Sequence, residues 1–204
     1  MANQRQLTLA TANEHKVREM TSALAGCGWE IVAAPGDIAD VPETGTTFEE
    51  NARIKALAVA MAVNGIALAD DSGLAVDALN GEPGVHSKRW AGEQATDADR
   101  IARLLDALRD VPMERRTARF VCAACIAGPH GVLWEGTGTV EGAITDAPLG
   151  ENGFGYDPVF EVLGEGRTMA ELTQDEKNAI SHRGRAMAAA RAWMRDDNVK
   201  CGSA

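Results

Sequence analysis

Two adjacent carboxylates form the first feature of this sequence that could do chemistry. Asp70 and Asp71 follow the apolar run at residues 66–69 and come directly before Ser72 and Gly73. Neighbouring like charges repel, and a turn needs only one Asp or Gly, so the second acid requires a positive group nearby. A bound cation is one candidate for that group.

A third acid, Glu43, lies earlier, in the loop "VPETG". Mg²⁺ prefers one or two carboxylates together with water and phosphate oxygens, and α/β sheets bind ligands at the carboxyl ends of their strands. The short apolar run "IALA" predicts an interior strand, so we expect Asp70 and Asp71 at its C-terminal end. The same "DDSG" is also typical of an Asx turn without any ligand. A metal site and a simple turn therefore both remain open.

Basic and polar groups occur at two places that could face a phosphate. In "TANEHK", between a predicted strand and helix, Thr11, Asn13 and Lys16 supply side-chain donors beside the N–H groups of a helix N-terminus. Asn51 and Lys55 lie four residues apart on a predicted helix, so they share one face just after the "VPETG" loop. The alternatives are an ordinary N-cap with a solvated lysine, and a solvated helix face.

Aromatic side chains are rare, at 4% of the chain, yet the glycine-flanked loop "GFGYDP" contains Phe154 and Tyr156. An aromatic side chain in such a loop either packs beneath it or stacks on a planar ligand such as a base.

The stretch "EKNAISHRGRA" contains Lys177, His182 and Arg183. On one continuous helix Lys177 and His182 would point roughly 140° apart. They can then contact one ligand only if it is long or if the helix breaks near Ser181, which could cap a second helix. A cationic helix face is the alternative interpretation.

Bulk composition limits the class of partner. The 204 residues are 45% hydrophobic and carry a net charge of −10, which argues against a general nucleic-acid or anionic-membrane binder and favours a small phosphate-bearing ligand. No apolar window approaches the roughly 20 residues of a membrane span, and we expect a cytoplasmic protein. Cys122 and Cys125 have no second pair to complete a zinc site, so we expect buried apolar roles for them.

Periodicity predicts an α/β protein with a mixed sheet, because strands and helices alternate in the first half and long strands dominate the second. The predicted strands are "LTLAT", "WEIVAAP", "IALA", "TARFVCAACIAG", "VLWEGTGTVEGAIT" and a short one after "GFGYDP". The predicted helices follow "TAN", run from Thr47 to Asn64 with Gly65 as C-cap, begin at Thr96, and extend from Thr173 to Met194. "GDIADVPETG" is predicted to be an irregular loop.

Taken in order, five stretches resemble one family, the inosine/xanthosine triphosphate pyrophosphatases. They are "LATANEHKVREM", "PETGTTFEENARIKA", "LADDSGLAVDALNGEPGVHSKRWAG", "GFGYDPVF" and "AELTQDEKNAISHRGRA", and the resemblance covers roughly residues 7–194. It implies an enzyme that hydrolyses the non-standard purine nucleotides ITP, dITP and XTP to the monophosphate and pyrophosphate, with Mg²⁺ as cofactor. It also implies a homodimer of single-domain chains, residues 1–204, each a long twisted mixed sheet with helices on both faces and two lobes enclosing a nucleotide cleft.

The resemblance also implies individual roles. By it, Glu43 and Asp71 hold the metal, and Asp71 is the catalytic proton acceptor for the attacking water. The implied substrate-binding residues are Thr11, Ala12, Asn13, Glu14, His15, Lys16, Lys55 and Ser72 at the phosphates, Phe154, Gly155, Tyr156 and Asp157 at the base, Lys177 on the nucleotide, and His182 and Arg183 at the purine edge. Ala12 stands where this family more commonly has glycine.

Two other functions remain open from the sequence. One is a pyrophosphatase of the same architecture that acts on pyrimidine or modified nucleotides. The other is a sensor that binds a nucleoside triphosphate without hydrolysing it, although a pure sensor has no need of the acids at Glu43, Asp70 and Asp71.

Overall fold

The structure, a computed structural model, describes residues 5–195, and within them six strands form one mixed sheet in the order β2-β1-β3-β4-β5-β6. The strands are β1 (Gln6–Leu9), β2 (Glu30–Ala33), β3 (Ile66–Val76), β4 (Thr117–Gly128), β5 (Gly131–Ile144) and β6 (Phe160–Val162). The helices are α1 (Glu14–Ala23), α2 (Gly36–Ala39), α3 (Phe48–Val63), α4 (Asp97–Ala107), α5 (Gln174–Ile180) and α6 (His182–Arg195). β1 pairs parallel with β2 and β3, whereas β5 and β6 are antiparallel. The predicted α/β class with a mixed sheet is confirmed.

The chain divides into two units, each assembled from separate stretches of sequence. The first unit runs to Asp71 and adds Ala123–Thr137 and the chain from Gly184 onward, and the second comprises Ser72–Cys122 and Gly138–Arg183. The first has a core of small side chains, in which α3 contributes Ala52, Ala56, Val59 and Ala60. The second has a core of larger side chains, including Leu104, Phe120, Val140, Phe160 and Leu172.

The acid pair lies inside a strand, which corrects the prediction of a strand end. β1 pairs with the first residues of β3, through Leu9 opposite Leu68, and then stops, while β3 continues through Asp70 and Asp71 to Val76. β4 is the other neighbour of β3 in the sheet, so β3 remains a strand beyond the end of β1. The interpretation of "DDSG" as a turn is therefore wrong, because sheet pairing overrides the local turn preference of Asp, Ser and Gly.

Two further predictions are wrong in detail. The predicted loop "GDIADVPETG" contains the four-residue helix α2, in which the Pro35 carbonyl accepts hydrogen bonds from the amides of Ile38 and Ala39. A single turn is too short to show helical periodicity. The C-cap of α3 is Asn64, in the left-handed conformation with φ of 47°, rather than Gly65, because Asn also tolerates this conformation.

The last predicted helix is broken near Ser181. A break there is one of the two conditions under which Lys177 and His182 could contact one ligand. Ser181 is extended, with φ of −67° and ψ of 159°, and separates α5 from α6. The predicted N-caps at Thr47, Thr96 and Thr173 are confirmed, each with its capping box. Cys122 and Cys125 are buried, as expected, and are not in disulfides.

No helix within residues 5–195 combines the length and the apolar character needed to cross a membrane.

Candidate active site

The first unit contains a buried cluster of charged side chains centred on Lys55 of α3. The Lys55 Nζ lies 2.7 Å from Glu43 Oε1 and 3.4 Å from Asp71 Oδ1. Lys55 and Asp71 are both nearly inaccessible, at 6% and 5% exposure. The structure therefore brings Glu43 and Asp71, which sequence analysis paired, to one cationic group.

Asn51, one turn before Lys55, contacts both β3 and the loop that contains Glu43. Its amide nitrogen donates to Asp71 Oδ2 at 3.0 Å, and its oxygen accepts from the Gly45 N–H at 2.7 Å. A backbone N–H only donates and a carboxylate only accepts, so these partners determine the orientation of the amide. A Cβ at Gly45 would lie 2.6 Å from the Glu50 Cβ, so glycine permits this close approach of the loop. Asn51 is fully buried, and the alternative of a solvated helix face is wrong.

The charges of this cluster depend on one another. Burial disfavours the carboxylate and raises the pKa of Asp71 above its usual value, although the nearby Lys55 ammonium acts in the opposite direction. Burial by itself would lower the pKa of Lys55, but the carboxylates of Asp71, Asp70 and Glu43 outweigh it and raise that pKa. Lys55 is therefore a cation, and Asp71 accepts a proton more readily than an exposed aspartate.

Asp70 forms an ion pair with a different lysine, Lys16. Successive side chains of a strand point to opposite faces, and Asp70 Oδ1 lies 3.2 Å from Lys16 Nζ of α1. Asp70 is completely buried and the Lys16 side chain is only 13% exposed, so Lys16 is not the solvated lysine of the alternative interpretation. The positive groups that the acid pair requires are thus Lys16 on one face and Lys55 on the other.

The "TANEHK" loop uses several of its polar groups to build the start of α1. The Asn13 side chain accepts from the amides of His15 and Lys16, at 2.9 and 3.3 Å. Thr11 Oγ1 accepts from the Asn13 amide at 3.2 Å. Asn13 is therefore the N-cap of α1. Phosphate contacts of this loop, including those of the exposed Ala12 and Glu14, remain a prediction.

The cluster around Lys55 offers two carboxylates, those of Glu43 and Asp71, as possible ligands for a metal ion. Among the residues that the structure describes, no three His, Cys, Asp or Glu side chains group as a metal site. Glu43 and Asp71 nevertheless reach the same ammonium nitrogen, and both supply hard oxygen donors. Mg²⁺ binds through one or two carboxylates and completes its shell with water and phosphate oxygens, so this donor pair fits Mg²⁺.

The second unit contains a separate cluster around the "GFGYDP" loop. The Lys177 Nζ donates to Asp157 Oδ2 at 2.6 Å, and the same oxygen accepts from the Phe154 amide at 2.8 Å. Gly153 has φ of +76°, and a Cβ there would lie 2.0 Å from Asp157 Oδ2, so this position requires glycine. The Phe154 ring has two cations near it, Lys177 Nζ at 4.9 Å and Arg183 Cζ at 5.7 Å from its centroid.

His182 and Arg183, at the start of α6, are buried at 5% and 2% exposure, so the alternative of a solvated cationic face is wrong. Arg183 donates to Ser72 Oγ at 2.7 Å. The His182 ring stacks on Phe120 with centroids 4.8 Å apart. Ser72 directly follows Asp71 in the sequence.

Tyr156 is a core residue of the second unit, which supports packing beneath the loop as its role. Its side chain is buried, and its hydroxyl donates to the Ser87 carbonyl at 3.0 Å. Burial raises the pKa of this hydroxyl. Phe154, by contrast, is only partly buried, so the two aromatic residues of the loop differ in exposure, and stacking of Phe154 on a base stays a prediction.

The mixed sheet and the lysine–carboxylate cluster on one of its strands define an α/β protein whose polar site is suited to a phosphorylated ligand. The chain belongs to the Ham1 family, whose family model matches residues 7–193.

Two relatives illustrate the similarity. The chain is 54% identical over 187 residues to a dITP/XTP pyrophosphatase of Symbiobacterium thermophilum, covering 91% of this chain and 93% of the relative. It is 49% identical over 181 residues to a dITP/XTP pyrophosphatase of Bacillus subtilis, covering 88% and 91% of the two chains.

Solved structures agree with this family assignment. A HAM1 protein from Coxiella burnetii matches with a TM-score of 0.86 and 42% identity, over 94% of this chain and 98% of that one. A nucleoside-triphosphatase / dITP/XTP pyrophosphatase from Mycobacterium abscessus matches with a TM-score of 0.73 and 47% identity, over 91% and 98%.

Proposed function

We propose that this protein hydrolyses ITP, dITP and XTP to the nucleoside monophosphate and pyrophosphate, by attack of water at the α-phosphorus. The names of its relatives support the activity. The observation that carries the proposal is the contact of one buried lysine, Lys55, with two acids from separate segments, Glu43 and Asp71. Such a cluster provides both a cation for phosphate and carboxylates for a metal ion.

Glu43 and Asp71 would hold Mg²⁺, the proposed cofactor. Bound Mg²⁺ supplies positive charge that neutralises phosphate oxygens and the departing pyrophosphate. Side chains of the protein are proposed to bind the phosphates and to accept the proton of the attacking water.

Lys16, Lys55 and Ser72 are the proposed phosphate-binding side chains. A nucleoside triphosphate carries about four negative charges, and ammonium groups partly excluded from water interact with them more strongly than exposed ones do. Asp71 is the proposed proton acceptor for the attacking water. The direction of its pKa shift supports this role, because a buried carboxylate is a stronger base than an exposed one.

The base end is assigned to residues of the second unit. Phe154 and Asp157 would hold the ring beside Lys177, and donors of His182 or Arg183 would bond the 6-oxo group of hypoxanthine or xanthine. Adenine carries an amino donor at that position and would leave a buried donor unpaired, at a cost of about 1–3 kcal/mol. This difference disfavours ATP without any steric exclusion.

A direct test is pyrophosphate release from a panel of nucleotides in the presence of Mg²⁺. We expect ITP, dITP and XTP to yield pyrophosphate and the monophosphate in equal amounts, and ATP to yield much less. Faster turnover of UTP or dTTP would replace the proposal by a pyrimidine-directed activity. Binding of ITP without any pyrophosphate would identify a nucleotide sensor instead.

We further propose that residues 1–204 act as a single functional domain in a cytoplasmic homodimer, with neither nucleic acid nor membrane as partner. The four unit boundaries fall inside β3, β4, β5 and α6 rather than in a linker, which supports one functional domain. The net charge of −10 disfavours polyanionic partners. Light scattering should give about twice the chain mass of 21.5 kDa, and a mass of one chain at micromolar concentration would exclude the dimer.

A further inference from the structure

The Phe154–Asp157 loop has one glycine inside it and another directly before it. Gly153 and Gly155 both adopt left-handed conformations, with φ of +76° and +65°. Glycine has the largest conformational freedom of any residue, so this segment loses much entropy when it becomes ordered. Contacts that order the loop before a ligand binds would spare the ligand that cost.

Asp97 supplies one such contact from a distant part of the sequence. Its Oδ2 accepts from the Gly155 amide at 2.7 Å, across 58 residues of chain. Asp97 is the first residue of α4, and Thr96 caps that helix through a complete capping box. The carboxylate therefore projects from a regular, capped helix end.

Arg100, one turn later on α4, holds the same carboxylate. It donates to Asp97 Oδ1, and also to the carbonyls of Ala95 and Lys88, both at 2.6 Å. Both oxygens of Asp97 therefore have a partner, and the Arg100 side chain is only 14% exposed. This guanidinium fixes the direction in which Asp97 faces Gly155.

A second contact reaches the next residue of the loop. The Tyr156 hydroxyl donates to the Ser87 carbonyl. Ser87 Oγ accepts from the Leu74 amide of β3 at 2.9 Å and donates to the Gly84 carbonyl at 2.6 Å. The segment 84–97, in which sequence analysis names no site residue, thus holds two consecutive residues of the loop.

We propose that Asp97 is a positioning residue, which orders the Phe154–Asp157 loop through the Gly155 amide and thereby increases affinity for the base end of the nucleotide. Gly155 directly follows Phe154, the residue with two cations near its ring, so a displaced Gly155 amide also displaces Phe154. The effect on affinity rests on the proposed function, whereas the contact between Asp97 and Gly155 does not.

The test compares Asp97→Ala with Asp97→Asn and with a control, Asp106→Ala. Asn keeps one oxygen that can accept from the Gly155 amide but turns an NH2 donor towards Arg100, so it should rescue the contact in part. Asp106 lies on the same helix and pairs with Arg109 at the same spacing of three residues, but it is exposed and is not in the loop contact. The control therefore removes a matching Asp–Arg pair without touching the loop.

Two measurements are made on each variant. We expect hydrogen exchange at the Gly155 amide to accelerate about tenfold in Asp97→Ala but not in Asp106→Ala. We also expect the KM for ITP to rise about 3- to 10-fold in Asp97→Ala, with kcat within about twofold of wild type. The lost hydrogen bond orders the loop that binds the base and is not part of the chemical step. Unchanged exchange at the α4 amide of Leu104 verifies that the variant is folded.

Equal Gly155 exchange in Asp97→Ala and Asp106→Ala would overturn the proposed contact. Accelerated exchange with an unchanged KM, or a fall in kcat alone, would overturn the role in affinity. A wild-type protein that leaves ITP intact would refute the proposed function, and the Gly155 exchange would still report separately on the contact.

Discussion

At the scale of single residues, two neighbouring acids occur together because each has its own lysine. Asp70 pairs with Lys16 and Asp71 with Lys55, on opposite faces of β3. A buried charge without a partner would be costly. Each of the two buried carboxylates therefore requires its lysine. Asp71 differs from Asp70 in that Asn51 also fixes its second oxygen and Glu43 shares its lysine.

The first residue-scale prediction concerns Asp71→Asn. The amide preserves the size of the side chain but removes the base and a metal ligand, so we expect kcat for ITP to fall by at least about 100-fold. Binding of ITP, measured by calorimetry, should largely survive because Lys16 and Lys55 remain.

Glu135→Gln is the matched control for that variant. Glu135 is a carboxylate of the first unit that pairs with the exposed Arg53, outside the buried cluster. It should retain wild-type turnover. An Asp71→Asn protein as active as this control would contradict the catalytic role and favour a sensor.

The second residue-scale prediction concerns His182→Ala. If His182 inspects the 6-oxo group, its loss should reduce the preference for ITP over ATP by up to about tenfold, as the ratio of the two kcat/KM values. His182 also stacks on Phe120, so a purely structural role is the competing explanation. An equal loss on both nucleotides would favour that explanation.

At the scale of elements, the sequence predicts helices well where a cap and an apolar stripe coincide. Thr47 with Glu50 and Thr173 with Glu176 are local signals, and the structure has both helix starts. The continuation of β3 through Asp70 and Asp71 had no local signal, because it depends on a strand neighbour that is remote in sequence. The contact of Asp97 with Gly155 could not be predicted from the sequence for the same reason, because the two residues are 58 positions apart.

The element-scale prediction concerns the capping box of α5. Hydrogen bonds from the Thr173 amide and hydroxyl, with help from Arg167, lower the pKa of Glu176 to about 2 from 4.5. A carboxyl with a lowered pKa in the folded state stabilises the protein above its unfolded pKa. That contribution is lost as the pH falls from about 4.5 towards 2.

Denaturant unfolding of Glu176→Gln checks this prediction. The variant should be less stable than wild type at pH 7, and the difference should shrink between pH 4.5 and 2. Asp175→Asn removes a charge from the same helix turn but leaves the capping box intact, so it is the control. A difference between Glu176→Gln and wild type that is constant with pH would show that the carboxylate does not contribute through its charge.

At the scale of the whole molecule, each unit is discontinuous in sequence, and the boundary crosses β3 between Asp71 and Ser72. The proposed proton acceptor is the last residue of one stretch, and the serine bonded by Arg183 is the first residue of the next. Five stretches that were recognisable in the sequence therefore contribute residues to the two clusters, three to the first unit and three to the second, with the stretch around Asp71 and Ser72 contributing to both. The resemblance singled out these residues in advance, and their roles at a site stay predictions, while the hydrogen bonds that hold them required the structure.

The most direct test of the central claim is ITP turnover in water enriched in ¹⁸O, with Mg²⁺ present and the products analysed by mass spectrometry. Attack of water at the α-phosphorus predicts one ¹⁸O in inosine monophosphate and none in pyrophosphate, with product formation by Asp71→Asn at least about 100-fold slower. Label in pyrophosphate or in inorganic phosphate, or release of inosine diphosphate, would contradict the proposed reaction.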